Sequence, residues 1–143
     1  MIKNRESTRL DKTKEKTKPF TVLVVDDEDY ITAFIRIKLK VSGYNILTAG
    51  NALTALKLLK KHTIDLAIVD IMMPEVNGLE LIKQMRVFTQ IPVIVLTAMN
   101  SIDIKLQSLS IGADDFITKP FDPDELVARI EGIRRRSGKI SSN

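Results

Sequence analysis

From Phe20 onward, short apolar runs alternate five times with segments whose apolar residues recur at helical spacing. Three runs, Val22–Val25, Leu66–Val69 and Val93–Leu96, are continuously apolar and rich in β-branched residues. Strands apolar on both sides belong in the middle of a parallel sheet covered by helices. Two further runs, Tyr44–Ala49 and Phe116–Thr118, are more polar or shorter and are predicted as edges. The intervening segments carry apolar stripes at Tyr30, Phe34, Ile37 and Val41; at Ala52, Ala55, Leu56 and Leu59; at Leu81, Met85 and Phe88; at Ile102, Leu106 and Leu109; and at Leu126, Ile130 and Ile133. Each stripe is predicted to face the core. Asp122-Pro123 followed by two acids is a helix start, Asp29 reads as a helix cap, and Gly43 and Gly112 fall where helices should stop. Five β-α units of this kind predict a doubly wound α/β fold with a five-stranded parallel sheet in the order 2-1-3-4-5.

Composition narrows the function. Hydrophobic residues make up 44% of the 143 positions and charged residues 28%, enough apolar material for one domain's core. Cysteine is absent, which excludes disulfides and thiolate metal sites and fits a reducing cytoplasm. No apolar run is long enough for a membrane span, and Trp is absent, which argues against a stacking platform for single-stranded nucleic acid. The net charge of +4 is misleading as a sign of nucleic-acid binding. Residues 1–18 hold seven basic and three acidic side chains, so the remainder carries fifteen of each. Basic ends on a neutral to acidic body read as solvated tails or linkers. Residues 1–18 are therefore expected to be a disordered basic tail, 19–136 the folded domain and 137–143 a linker or tail.

In a sheet of this kind function gathers at the carboxyl ends of the strands, near the point where the winding reverses. The first strand ends in Asp26-Asp27-Glu28-Asp29, the third in Asp70, the fourth in Thr97 and the fifth in Lys119. Strands one and three are neighbours in the predicted order, so Asp26, Asp27 and Asp70 crowd one edge of the cleft. Three such carboxylates repel and need a cation. All-oxygen ligands without His or Cys select a hard metal, and Mg²⁺ suits a site with few protein ligands. Glu28 is expected to be merely solvated. His62 reads as a helix-end residue, and Gly50 and Gly78 form no nucleotide-binding spacing, so neither nucleotide nor membrane binding is expected.

Taken together, Val25-Asp26-Asp27-Glu28, Asp70-Ile-Met-Met-Pro74 with Asn77-Gly78, Leu96-Thr97-Ala98, and Gly112 through Lys119-Pro120-Phe121 resemble the motif set of response regulator receiver domains of bacterial two-component systems. The resemblance spans about Phe20 to Arg136 and implies a flavodoxin-like receiver. It further implies that Asp70 accepts a phosphoryl group from a sensor histidine kinase. Mg²⁺ would then be held by Asp26, Asp27, Asp70 and the backbone carbonyl of Met72. Lys119 and Thr97 would bind the phosphoryl group, and Phe116 would be the aromatic of a switch. A cis Lys119-Pro120 bond is also common in such domains. Receivers of the winged-helix branch dimerise on phosphorylation through the fourth helix, fifth strand and fifth helix, and Lys105, Asp114, Asp115, Glu125 and Arg129 match the charges used there. The resemblance implies self-phosphorylation and dephosphorylation, not multiple turnover. Output is then expected through a DNA-binding domain absent from this chain, with a stand-alone receiver acting by protein contacts or phosphorelay as the alternative. Met72 and Met99, apolar where fast-hydrolysing relatives are often polar, suggest a long-lived phosphoryl group. A flavin protein would need a phosphate loop where four acids stand, and an aspartyl phosphohydrolase would need a cap region for which this chain has no room.

Overall fold

The computed structural model describes residues 19–73, 76–98 and 101–137. Along them run β1 (Thr21–Val25), α1 (Asp29–Val41), β2 (Asn45–Ala49), α2 (Ala52–Lys61), β3 (Leu66–Val69), α3 (Gly78–Met85), β4 (Val93–Thr97), α4 (Ile102–Ser110), β5 (Asp115–Thr118) and α5 (Pro123–Arg136). The strands form one sheet, β2-β1-β3-β4-β5, with every pairing parallel, as the alternation predicts. The expectations for the terminal segments, and those resting on Pro74 and Met99, lie outside the described residues.

Both faces of the sheet are covered, which is why its central strands are apolar throughout. Leu23, Val25, Ala67, Val69, Val93 and Val95 point into the layer built with α2, α3 and α4. Their alternates Val22, Val24, Leu66, Ile68, Ile94 and Leu96 pack under α1 and α5. Helix ends follow local chemistry. The side chains of Asn51, Asn77, Ser101 and Asp122 each accept a backbone N–H of the helix they precede. Gly43 and Gly112 take φ of 95° and 108°, the left-handed conformation that ends a helix cheaply only in glycine. His62 is the exposed C-cap residue of α2.

Two predicted core faces turn out to face solvent. In α1 the buried residues are Thr32, Ile35 and Leu39, whereas Tyr30 is 71% exposed and Val41 83%, with Phe34 and Ile37 between them also exposed. The helix carries two apolar stripes about a third of a turn apart, and the sheet takes the one on Ile35 and Leu39. Likewise α4 turns Ser108 inward, with Ile104 partly buried, and leaves Ile102, Leu106 and Leu109 exposed. Phe88, just beyond α3, is also largely exposed, beneath the Lys60 ammonium at 5.2 Å. Fully burying a Leu or Ile stabilises by roughly 1.5–3 kcal/mol. The α1 and α4 stripes forgo that gain.

The floor of the sheet, opposite the strands' carboxyl ends, is closed by aromatic and cationic side chains. Phe20 and Tyr44 meet edge-to-face at 5.8 Å, and the Arg134 guanidinium from the last turn of α5 lies 5.4 Å from both ring centres. Burial pushes the Tyr44 hydroxyl's pKa up, against the pull of Arg134. Ahead of β4 and β5, Arg86 bonds the Gly112 carbonyl at 2.7 Å and the Thr89 carbonyl at 3.2 Å, tying the end of α3 to the turn after α4.

Candidate functional site

The register of the sheet brings the acids together. Val25 pairs with Val69, so Asp26 and Asp70 are the next residues of neighbouring strands. The Asp26 N–H donates to the Ala49 carbonyl at 3.0 Å and the Asp70 N–H to the Val25 carbonyl at 2.9 Å, which carries the ladder one residue past the strands on each side. Thr97 is paired with Thr118, and the Lys119 N–H donates to the Thr97 carbonyl at 2.8 Å, so the lysine starts where β5 stops. Lys119-Pro120 is cis.

From that base the Lys119 ammonium reaches Asp26 Oδ2 at 2.8 Å, Glu28 Oε1 at 2.9 Å and Asp70 Oδ2 at 3.0 Å. Asp26 and Asp70 are buried. The remaining oxygens of both are held by backbone: the Glu28 N–H donates to Asp26 Oδ1 and the Met72 N–H to Asp70 Oδ1, each at 2.9 Å. Burial pushes the Asp26 carboxyl up, with Lys119 pulling it back down. Burial alone would lower the Lys119 ammonium, but its bonds to Asp26, Glu28 and Asp70 outweigh that and hold it well above its ordinary value. The cluster is thus a cation surrounded by carboxylates, with the charges arranged to offset one another's desolvation.

Asp27 stands apart. It is exposed and has no hydrogen-bonding or ion-pair partner among the described residues. One carboxylate oxygen each from Asp26, Asp27 and Asp70 nevertheless lies within 4.8 Å of the others. Three hard oxygen donors at that spacing fit a divalent cation, with Asp27 the ligand not already engaged by Lys119.

The structure corrects two readings of the loop after β1. Glu28 is not merely solvated but one of the three acceptors of Lys119. It is also the residue at the N-cap of α1, without a side-chain capping bond, and Asp29 falls inside the first turn. The segment after Asp70 is shaped by a close approach. The Gly78 N–H donates to the Ile71 carbonyl at 2.9 Å, and a Cβ at Gly78 would lie 2.5 Å from the Asp70 carbonyl oxygen. Met72 is largely exposed and lines, with Ile71, Met73, Asn77, Leu79, Ile104 and Gln107, a groove of about 530 Å³ between α3 and α4.

Thr97 is completely buried at the end of β4. Phe116 is partly buried against the α2-α3-α4 layer, with the Lys105 ammonium 5.6 Å from its ring centre. The charges singled out for a dimer face mostly have partners within the chain. Arg129 bonds Asp115 at 2.7 Å and Glu125 at 3.1 Å. Asp114 accepts the Val93 N–H at 2.9 Å and lies 3.7 Å from Arg86.

Residues 22–131 match the family model described as "Response regulator receiver domain". The chain belongs to the response regulator receiver domain family. Receiver domains are signalling modules that pair with histidine kinases. Among its relatives, the probable transcriptional regulator ycf27 of Cyanidium caldarium is 42% identical over 123 residues, which are 86% of this chain and 49% of that protein. The phosphate regulon transcriptional regulatory protein PhoB of Pseudomonas aeruginosa is 42% identical over 121 residues, 82% of this chain and 53% of that protein. The receiver spans about half the length of the curated relatives it matches. Of similar solved structures, the Francisella response regulator 1452 receiver domain has a TM-score of 0.79 and 36% identity, covering 84% of this chain and 99% of its own. Thermotoga maritima TrrA, solved in complex with Mg(2+)-BeF, has a TM-score of 0.73 and 36% identity, covering 80% of this chain and 98% of its own. Among the described residues no helix of the receiver is long and apolar enough to cross a membrane.

Proposed function

We propose that Asp70 of this receiver is the phosphoacceptor of a two-component pathway, taking its phosphoryl group from the phosphohistidine of a sensor kinase in the cytoplasm. The observation that carries this is the convergence of Asp26, Asp27 and Asp70 at the strand ends, with the Lys119 ammonium 3.0 Å from Asp70. Asp70 supplies the nucleophile: its carboxylate oxygen bonds to phosphorus as the bond from phosphorus to the donor imidazole breaks, the electron pair staying on the ring nitrogen. Asp26, Asp27, Asp70 and the Met72 carbonyl are the ligands assigned to Mg²⁺, consistent with the Mg(2+)-BeF complex of the TrrA relative. Bound there, Mg²⁺ would neutralise charge on the transferring oxygens. Lys119 holds the phosphoryl group by charge, and Thr97 donates its hydroxyl to it. Treatment with acetyl phosphate and Mg²⁺ should give a phosphoryl adduct by mass spectrometry that is lost in Asp70→Asn. An adduct of equal yield in that variant ends the assignment.

The readout assigned to the receiver is its α4-β5-α5 face. Lys105 of α4 lies over the ring of Phe116 of β5, so a turn of that aromatic is felt directly by α4. The same helix exposes Ile102, Leu106 and Leu109, and Arg129 with Asp115 and Glu125 adds charge beside it. An apolar stripe edged by charges is the make-up of a homodimer interface, the charges setting register more than affinity. Phosphorylated protein should sediment as a dimer, which Leu106→Glu should return to monomer and Arg129→Glu should weaken, with labelling of Asp70 intact. Persistently monomeric phosphoprotein at high concentration counts against this face. Transcriptional output would then pass through a DNA-binding domain beyond this chain, in keeping with the regulators named among its relatives. The exposed α1 stripe begins at Tyr30, next to the acids.

A further inference from the structure

A lysine ammonium has three protons to donate. In this receiver each proton of Lys119 has a carboxylate acceptor: Asp26 at 2.8 Å, Glu28 at 2.9 Å and Asp70 at 3.0 Å. None is left for an incoming phosphoryl oxygen, so binding one requires that a present bond be given up.

The three acceptors differ in what that would cost. The Asp26 side chain is 1% exposed and the Asp70 side chain 4%. At carboxylates buried this deeply no water can take the ammonium's place, so giving up either bond is costly. The Glu28 side chain is 43% exposed, and water can replace Lys119 there at little cost. Nor is Glu28 bound to its place by another duty. As the N-cap residue of α1 its side chain caps nothing, and the bond it gives Asp26 comes from its backbone N–H, which any substitution but proline retains.

We infer that Glu28 is a displaceable counter-ion of Lys119, holding the third ammonium proton in the resting receiver and yielding it to an oxygen of the phosphodonor anion. This rests on the phosphoacceptor reading of Asp70 and adds a positioning residue to it. No covalent bond is made or broken in the exchange. Glu28 therefore competes with the donor for one hydrogen-bonding position on Lys119. It weakens donor binding without changing how fast a bound donor reacts.

Competition for Lys119 and general repulsion of an anion by a nearby carboxylate make different demands on length. Glu28→Gln removes the charge. Glu28→Asp keeps the charge but shortens the side chain by one methylene and withdraws it from Lys119. The test is the acetyl phosphate dependence of the initial labelling rate at saturating Mg²⁺ and fixed ionic strength. In parallel, beryllofluoride binding is measured calorimetrically, which needs no phosphoryl transfer. In both variants the half-saturating donor concentration and the beryllofluoride dissociation constant are expected to fall by about two- to fivefold, the factor that a partly exposed ion pair represents. The plateau rate is expected to stay unchanged. Wild-type constants in Glu28→Gln overturn the inference. Wild-type constants in Glu28→Asp alone assign the effect to general repulsion, and a change confined to the plateau rate rules out competition; either overturns it too. Absence of any adduct on the wild-type protein refutes the phosphoacceptor reading instead, so the two failures are distinguishable.

Discussion

Replacing Asp27 by alanine is expected to lower divalent-cation affinity by more than about a hundredfold, beyond the 10–100-fold typical of losing a group that merely supports a metal ligand. Labelling of Asp70 by acetyl phosphate should slow in step. The reason lies in how the three acids are engaged. Lys119 already occupies one oxygen of Asp26 and one of Asp70, and backbone N–H groups hold the other two. Asp27 alone is exposed and without such partners, so it is the ligand most available to an arriving cation. For the same reason its removal should leave the fold unharmed, with a thermal midpoint in chelator close to wild type. Calorimetric titration with Mg²⁺, alongside labelling at several Mg²⁺ concentrations, checks both halves. Wild-type labelling of Asp27→Ala in excess chelator would sink the metal assignment.

The second large effect is structural and is expected from a single methyl group. In Gly78→Ala the new carbon would lie 2.5 Å from the Asp70 carbonyl oxygen, 2.8 Å from the Ile71 Cα and 2.8 Å from a Val69 methyl. Two of these neighbours are backbone and cannot swing away as a side chain end can. Overpacking a core costs about 1–3 kcal/mol where side chains can adjust, and here the cost should lie at or above the top of that range. Relief requires the N-terminus of α3 to back away from β3, taking with it the bond from the Gly78 N–H to the Ile71 carbonyl. Urea unfolding should show the loss of stability, and the folded fraction should label slowly because the chain around Asp70 has moved. A variant as stable as wild type would mean that α3 accommodates the methyl freely.

The sheet order was legible because the central strands have no polar side: Leu66–Val69 and Val93–Leu96 make sense only between two helical layers. The acid cluster followed from that order, since β1 and β3 as neighbours bring Asp26 and Asp70 together. The faces of α1 and α4 were not legible. In α1, Tyr30-Phe34-Ile37-Val41 is as periodic as Ile31-Ile35-Leu39, and a moment computed on polarity does not distinguish a stripe bound to the sheet from one left for another molecule. In α4 the inward side chain is a serine, which satisfies itself by donating to the Ile104 carbonyl at 2.7 Å and so counts as polar in any pattern. Glu28 was missed for a different reason. Nothing in the spacing says which way a side chain just beyond a strand turns, and only the lysine across the cleft decides it.

The clamp of Arg134 between Phe20 and Tyr44 has a mechanical meaning. The last turn of a helix ordinarily frays, but here it is held by a buried Ile133 and by a guanidinium lodged against two rings that belong to the start of β1 and the approach to β2. The helix that carries Glu125 and Arg129 is therefore packed against the sheet to its end. Its heading at Ser137 is thereby referenced to the sheet. A torque applied there is borne by the first strand, whose other end carries Asp26. Load and chemistry share one rigid beam.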